Sequence, residues 1–184
     1  MRLTAANELP GASLLGKSMT IADHLRSILL SLWLGAALFF SFAVAPNVFA
    51  VLRSFDLANA NEIAGTIVTR TLAVINVGGF ILGLVALLIT TLAKRRARGF
   101  SFALQVLSLA ALAGTTAVGQ WIIAARMRAL RVAMVTIDLV PPDDPRRVSF
   151  TQLHGYSVAL LSTAMIAALV ALAALRIPRS RIEG

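Results

Sequence analysis

Four long stretches of the chain contain no charged side chain, and shorter segments that do contain charges lie between them. Asp, Glu, Lys and Arg are absent from residues 27–52, 71–93, 99–125 and 148–175. Each stretch exceeds the roughly 20 residues with which a helix crosses a hydrocarbon core about 30 Å thick. Their Leu- and Ala-rich composition, without period-two alternation, favours helices over barrel strands. The pattern predicts an all-α integral membrane four-helix bundle with spans at about 27–49, 72–92, 102–125 and 150–175.

The segments between the spans predict how the helices are connected. Residues 94–98 hold four cations in a very short connection, so the second and third spans are expected to form a hairpin within an antiparallel, up-down bundle. Residues 56–70, DLANANEIAGTIVTR, predict a short interfacial helix that Asp56 caps. The third helix is expected to extend beyond the bilayer until the prolines that begin at Pro141 break it.

The two ends of the chain are predicted to lie outside the bundle. Residues 1–22 lack hydrophobic periodicity and are typical of a flexible tail, within which Met19 is an alternative start. Residues 23–176 form the predicted membrane domain, and residues 177–184 form a basic C-terminal tail. Ten of the 17 Lys and Arg residues belong to the side that holds both termini and the 94–98 connection. By the positive-inside rule, both termini of a bacterial inner-membrane protein would then be cytoplasmic.

Composition and charge exclude several other classes of protein. Hydrophobic residues make up 58% of the chain and charged residues only 14%, unlike an ordinary soluble domain. The net charge of +9 could suit nucleic acid, but the cations flank the spans, so topology and anionic lipid explain them better. We therefore expect the lipid bilayer as a partner and no nucleic acid. The absence of cysteine excludes disulfides and thiolate metal or redox sites.

One set of polar side chains is predicted to lie at a common depth in the bundle. Counted inward from the non-cytoplasmic side at 1.5 Å per residue, His154, Asn76 and Gln120 each lie about 6 Å into their spans. Pro46 and Asn47 are expected to end the first helix on the same side. Polar groups in lipid are costly unless paired, so the cluster predicts either a structural network or a site for a small ligand or cation. Its other predicted members are Trp121, Gln152, Tyr156 and Ser157.

Small residues predict where the helices approach each other closely. Ser27, Ser31 and Gly35 recur at a spacing of four and would form one packing face of the first span. Gly79 and Gly83 form a Gly-x-x-x-Gly pair in the second span, which would admit the backbone of another helix. Glycine merely tolerated in lipid is the alternative interpretation of that pair.

Candidate catalytic and metal-binding chemistry is sparse. His24 and His154 are the two histidines, and their predicted positions on opposite sides of the membrane argue against a site that both would share within one protomer. His154 is therefore the only candidate metal ligand that the sequence offers in the polar cluster. The spans contain no carboxylate, and no nucleophile elbow or phosphate-binding glycine loop is present, so a non-enzymatic protein without a cofactor is the default.

Two segments resemble a known family. The first, LWLGAALFFSFAVAPNVFAVL at residues 32–52, contains Trp-x-Gly and Ala-Pro-x-x-Phe elements, and the second, DDPRRVSFTQLHGYSVALL at residues 143–161, contains Phe-x-x-Leu-His-Gly-x-Ser. Together they resemble bacterial proteins related to human transmembrane protein 205, a membrane domain family of unknown function, over nearly the whole chain from about Asp23. The Trp-x-Gly element is also similar to the copper-resistance D and haem-dependent protoporphyrinogen oxidase membrane families. That similarity implies a haem or metal role.

The sequence leaves three functions open. The first is an uncharacterised, non-enzymatic membrane protein with a small-ligand or cation site near His154 on the non-cytoplasmic side. The second is a membrane haem- or metal-binding redox or transport protein. The third is a structural or assembly subunit, forming a homo-oligomer or docking a membrane partner through the basic helix at residues 126–131.

Overall fold

Four long helices make up nearly all of the structure. The computed structural model describes residues 21–93, 99–135 and 137–176. Within these ranges the four helices are long and apolar enough to cross a membrane, which confirms the predicted all-helical class and the number of spans. We number them in chain order: α1 spans Ile21–Ser54, α2 spans Ala60–Ala93, α3 spans Phe100–Met134 and α4 spans Pro145–Arg176.

The described helices extend past several predicted boundaries. Ile21 and Ala22, which were assigned to the N-terminal tail, already belong to α1. The rest of that tail, the 94–98 connection and the 177–184 tail lie outside the described residues. Helix α3 continues to Met134, well beyond the predicted span, but it ends before the prolines. It ends where Val135 adopts a φ of 62°, a conformation that is strained for a β-branched residue.

Helices α1 and α3 each contain a π-helical turn, at Phe40–Val44 and Val118–Ile123. In the first of these turns the Ala45 backbone N–H donates to the Phe40 carbonyl, five residues earlier. This wider turn directly precedes Pro46, which has no N–H and whose ring would clash with the carbonyl four residues earlier in a regular α-helix. The helix therefore continues through the proline to Ser54, and the prediction that Pro46 and Asn47 end the first helix is wrong.

Helix α2 is continuous from Ala60 to Ala93, so the residues predicted to form a separate short helix are its first turns. The predicted cap at Asp56 is also wrong, because this residue has a φ of 50° and lies four positions before the helix. The first turn is capped from elsewhere in the chain. The Asp138 carboxylate accepts the Glu62 backbone N–H at 3.1 Å and the Asn61 side-chain amide at 2.7 Å.

The packed face of α1 follows a spacing of four and three residues. Its buried members are Arg26, Leu30, Trp33, Ala37 and Phe40. Ser31 and Gly35 lie on the exposed side, and the space beside Gly35 is open. The face that was predicted to pack against other helices therefore points away from the bundle. The larger side chains on the opposite face of α1 make the contacts with the other helices.

Glycines in α2 allow two close approaches. A Cβ atom on Gly83 would lie 3.0 Å from the backbone nitrogen of Ala113, so the α3 backbone passes directly against it. A Cβ atom on Gly79 would lie 2.8 Å from the ring of Trp33. The Trp33 indole N–H also donates to the Ile75 carbonyl at 2.9 Å. This part of α2 is therefore in contact with both α1 and α3.

Candidate functional site

A cavity of about 370 Å³ lies between α1, α2 and α4. Its volume falls within the range of pockets that hold small molecules, about 300–1,000 Å³. On α4 it follows one stripe of the helix from His154 to Met165, which corresponds to about 16 Å at 1.5 Å per residue. Helix α1 contributes three phenylalanines together with Pro46, and α2 contributes Val68 and Leu72.

The π-helical turn forms much of the α1 wall of this cavity. Phe40, Ser41 and Phe42 belong to the turn, and Pro46 follows it closely. Polar side chains here bond within their own helix. The Ser41 hydroxyl donates to the Ala37 carbonyl at 2.8 Å, and the Asn47 amide donates to the Ala43 carbonyl at 2.7 Å. The hydrogen bonds of these two side chains therefore do not cross the cavity.

The lining is apolar with a few polar groups on α4. His154 is exposed at one end of the stripe, while Ser157 is buried and Ser162 is half-buried farther along it. An imidazole carries at least one N–H donor in either neutral tautomer, and each hydroxyl can donate or accept. A mostly apolar surface with a small number of polar groups is typical of a site for a lipophilic small molecule.

The structure brings only part of the predicted polar cluster together at this cavity. Pro46, His154 and Ser157 line it. Asn47 is exposed and bonded to its own helix, as described above. Gln152 and Tyr156 are exposed on α4 and are not among the lining residues.

Asn76, Gln120 and Trp121 lie away from the cavity, at the second π-helical turn and on the part of α2 that contacts it. Asn76 is 4% exposed and packs against Gly119 of the second π-helical turn. The Gln120 side-chain oxygen is buried without a hydrogen-bond partner among the described residues. Trp121 is half exposed and meets the Phe80 ring edge to face, with ring centres 4.9 Å apart. None of the three lines the cavity.

The histidine positions do not fit a shared haem or metal ion. His24 lies next to Arg26, which contacts Thr90 of α2, whereas the His154 cavity contacts Leu72 of the same helix. Thr90 and Leu72 are 18 residues apart, which is about 27 Å along α2. In the part of the chain that the structure describes, no three His, Cys, Asp or Glu side chains cluster as a metal site.

Sequence reasoning missed a charged network at the His154 end of the bundle. Arg131 was assigned to a docking surface, but its side chain is only 18% exposed and its Nε lies 3.4 Å from a Glu62 carboxylate oxygen. Its guanidinium also lies over the Phe150 ring, 5.5 Å from the ring centre. Gly65 leaves room for it, since a Cβ atom there would lie 2.7 Å from the guanidinium. No pattern within either helix indicated that Arg131 would face Gly65.

A second network, at the opposite end, was also missed. Arg26 is 3% exposed and bonds both Asp23 and Thr90, which ties α1 to α2. The Gln105 amide and the Ser101 hydroxyl both donate to the Ala174 carbonyl, at 2.9 and 3.0 Å, which ties α3 to α4. The small residual space beside Arg26 and Gln105 measures about 10 Å³.

Comparison with known proteins identifies a family but no characterised relative. The sequence model of one family, described as Domain of unknown function (DUF4149), matches residues 28–136, more than half of the chain. The match includes α1, α2 and α3 except the first residues of α1, and it ends before α4 and His154. No curated protein and no solved structure matches the chain.

Proposed function

We propose that this chain, which belongs to the family described as Domain of unknown function (DUF4149), is a multi-pass membrane protein that binds a small lipophilic molecule beside His154. The molecule enters from the bilayer and is bound without chemical change. The cavity between α1, α2 and α4 carries this proposal, because its volume and apolar lining match such a ligand.

The topology in this proposal is an antiparallel, up-down bundle. The order of contacts between α1 and α2 supports it. Arg26 of α1 bonds Thr90 of α2. Trp33 lies farther along α1, and it bonds Ile75, which comes earlier in α2. The distribution of Lys and Arg favours cytoplasmic termini and the inner membrane of a bacterium. The first turns of α2 would then lie at the non-cytoplasmic interface.

Exposed side chains at the rim of the cavity support entry from lipid. Phe42 is 77% exposed and Val158 is 53% exposed, and both line the cavity. Both belong to predicted membrane spans, so the surface around the opening is one that lipid covers. A hydrophobic molecule dissolved in the bilayer therefore reaches the cavity without crossing water.

The haem- or metal-binding alternative lacks comparable support. His24 is near Arg26, which contacts Thr90, whereas His154 lines the cavity with Leu72, and these two α2 positions are about 27 Å apart. The assembly alternative has a surface in Arg126 and Arg128, which are exposed on α3. Neither alternative accounts for the cavity.

A photolabelling experiment tests the lipophilic ligand. The protein is reconstituted in phosphatidylcholine vesicles with dodecanol that carries a diazirine group, and labelled peptides are mapped by mass spectrometry. We expect labels on the lining residues of α1 and α4. Ser162→Phe fills the cavity and should reduce this labelling several-fold, whereas Thr163→Phe, on the exposed side of the same turn, should not. Equal labelling of the lining in both variants would contradict the proposal.

A further inference from the structure

We infer that the molecule held in this cavity is a single-chain anionic amphiphile, such as a long-chain carboxylate. This inference rests on the proposed function and specifies its ligand. Three features support it: the shape of the cavity, the position of Arg53, and the pairing of two acidic groups at the His154 end.

The imidazole of the cavity lining lies at one end of the stripe. Along α4 the lining passes from Met165 past Ser162 and Leu161 to Ser157 and then to His154. The stripe is about 16 Å long at 1.5 Å per residue, and its volume is about 370 Å³. An elongated apolar space that finishes at hydrogen-bond donors suits one hydrocarbon chain whose head group lies at His154.

Arg53 lies on α1 beside the cavity lining. Its guanidinium is 5.8 Å from the centre of the Phe49 ring, and Phe49 is itself a lining residue. The Arg53 Nε donates to the Phe49 carbonyl at 3.1 Å, which directs the side chain back along the helix toward the cavity. The ion pairs formed among the described residues use Arg26, Arg131 and Arg146, and none uses Arg53. The outer nitrogens of its fork thus remain available for an acidic head group.

Two acidic side chains at this end already have partners. Glu62 faces Arg131, and Asp138 accepts hydrogen bonds from the first turn of α2. Asp56 follows Arg53 by three residues, but it forms no ion pair with it in the described structure. The charge of Arg53 thus lies beside the lining residue Phe49, and a negative head group complements it.

The test compares head groups on one chain. Diazirine-bearing dodecanoate, dodecanol and dodecylamine are each reconstituted with the protein in phosphatidylcholine vesicles at mildly alkaline pH. Labelling of the cavity lining is quantified for each. We expect the carboxylate to label about threefold to fivefold more than the alcohol, the size of a partly exposed charge pair, and the amine to label least.

Two arginine variants test whether Arg53 causes this preference for the carboxylate. Arg53→Gln should abolish the excess of carboxylate over alcohol labelling while the alcohol still labels the cavity, which shows that the variant is folded. Arg70→Gln removes an exposed cation from the opposite side of α2, two positions from Val68 and Leu72, and should keep the excess. An equal loss in both variants would indicate general surface charge and overturn the inference.

The outcomes separate the inference from the proposed function. Equal labelling of the lining by all three probes overturns the anionic ligand and keeps the lipophilic one. Absence of cavity labelling by every probe overturns both. A cross-link that joins the lining residues of two chains would show that a second copy of the protein fills the cavity, and it would overturn the inference as well.

Discussion

The two ends of α1 differ in where their polar side chains bond. At one end Arg26 reaches from α1 to Thr90 of α2, and nearby Gln105 reaches from α3 to α4. At the His154 end, Ser41 and Asn47 of α1 bond to carbonyls of their own helix, and the ion pair between Arg131 and Glu62 joins α3 to α2 without α1. The residual space is about 10 Å³ beside Arg26 and about 370 Å³ beside His154.

The difference shows which interactions hold the helices of a bundle together in lipid. Apolar side chains are solvated by lipid as well as by each other, so hydrogen bonds between helices and close packing of small residues hold the helices together. Where polar side chains cross from one helix to another, the helices meet. Where they turn back on their own helix, as Ser41 does, space for another molecule remains.

Replacing Arg26 with methionine should give the largest loss of stability, because it breaks the cross-link between α1 and α2 at the Arg26 end of the bundle. The change leaves the carboxylate of Asp23, which is 17% exposed, without its arginine, and removes the bond to Thr90. Loss of one partner of a buried ion pair costs about 3–5 kcal/mol. Thermal or denaturant unfolding in detergent measures the change. Arg128→Met, at an exposed position on α3, is the control and should stay within about 0.5 kcal/mol of wild type.

Replacing Gly83 with alanine should have an intermediate effect by separating α2 from α3. The new Cβ would lie 3.0 Å from the Ala113 backbone nitrogen, which cannot move as a flexible side chain can. Overpacking of this kind costs about 1–3 kcal/mol. Gly114→Ala, where the space is open, should instead gain up to about 1 kcal/mol from helix propensity. Equal stability of the two variants in the same unfolding assay would show that the contact is not tight.

The smallest expected effect concerns the stability of the protein at acidic pH and involves Asp144, near the His154 end of the bundle. Hydrogen bonds from the Arg146 side chain and backbone lower the pKa of Asp144 from 3.8 to about 2. Because the folded-state pKa is depressed, this group stabilises the protein above about pH 4, and the contribution is lost as the pH falls toward about 2. Asp144→Asn should flatten that part of a plot of Tm against pH. Identical plots for Asp144→Asn and the wild type would contradict the assignment.

The positions of the four helices along the chain were predictable from sequence, because charged residues are excluded from lipid and mark the limits of each span. The cross-links at Arg26 and Arg131 were not predictable. They depend on which neighbour faces each arginine, and Thr90 and Glu62 are more than 60 residues away in sequence. The spacing within one helix does not contain that information.

Counting along the sequence assigns each candidate site residue a depth but not a direction. Counting 1.5 Å per residue placed His154, Asn76 and Gln120 at one level. It gave no rotation about each helix axis, so it could not separate Asn76, which packs against Gly119 of α3, from His154 at the cavity. The signal for Arg53 was equally weak, because a cation at a span boundary is commonly a topology signal.

The π-helical turn of α1 changes the phase of every residue that follows it. A π turn is equivalent to one residue inserted into an α-helix, and one residue is about 100° of rotation. The four-three spacing that ends at Phe40 would, without the insertion, bring Asn47 and Val51 to the inner face. In the structure these two are exposed, and Val48 and Leu52, one position later, are half-buried. The inserted residue thus decides which side chains after Phe40 continue the inner face of α1: Val48 and Leu52 in place of Asn47 and Val51.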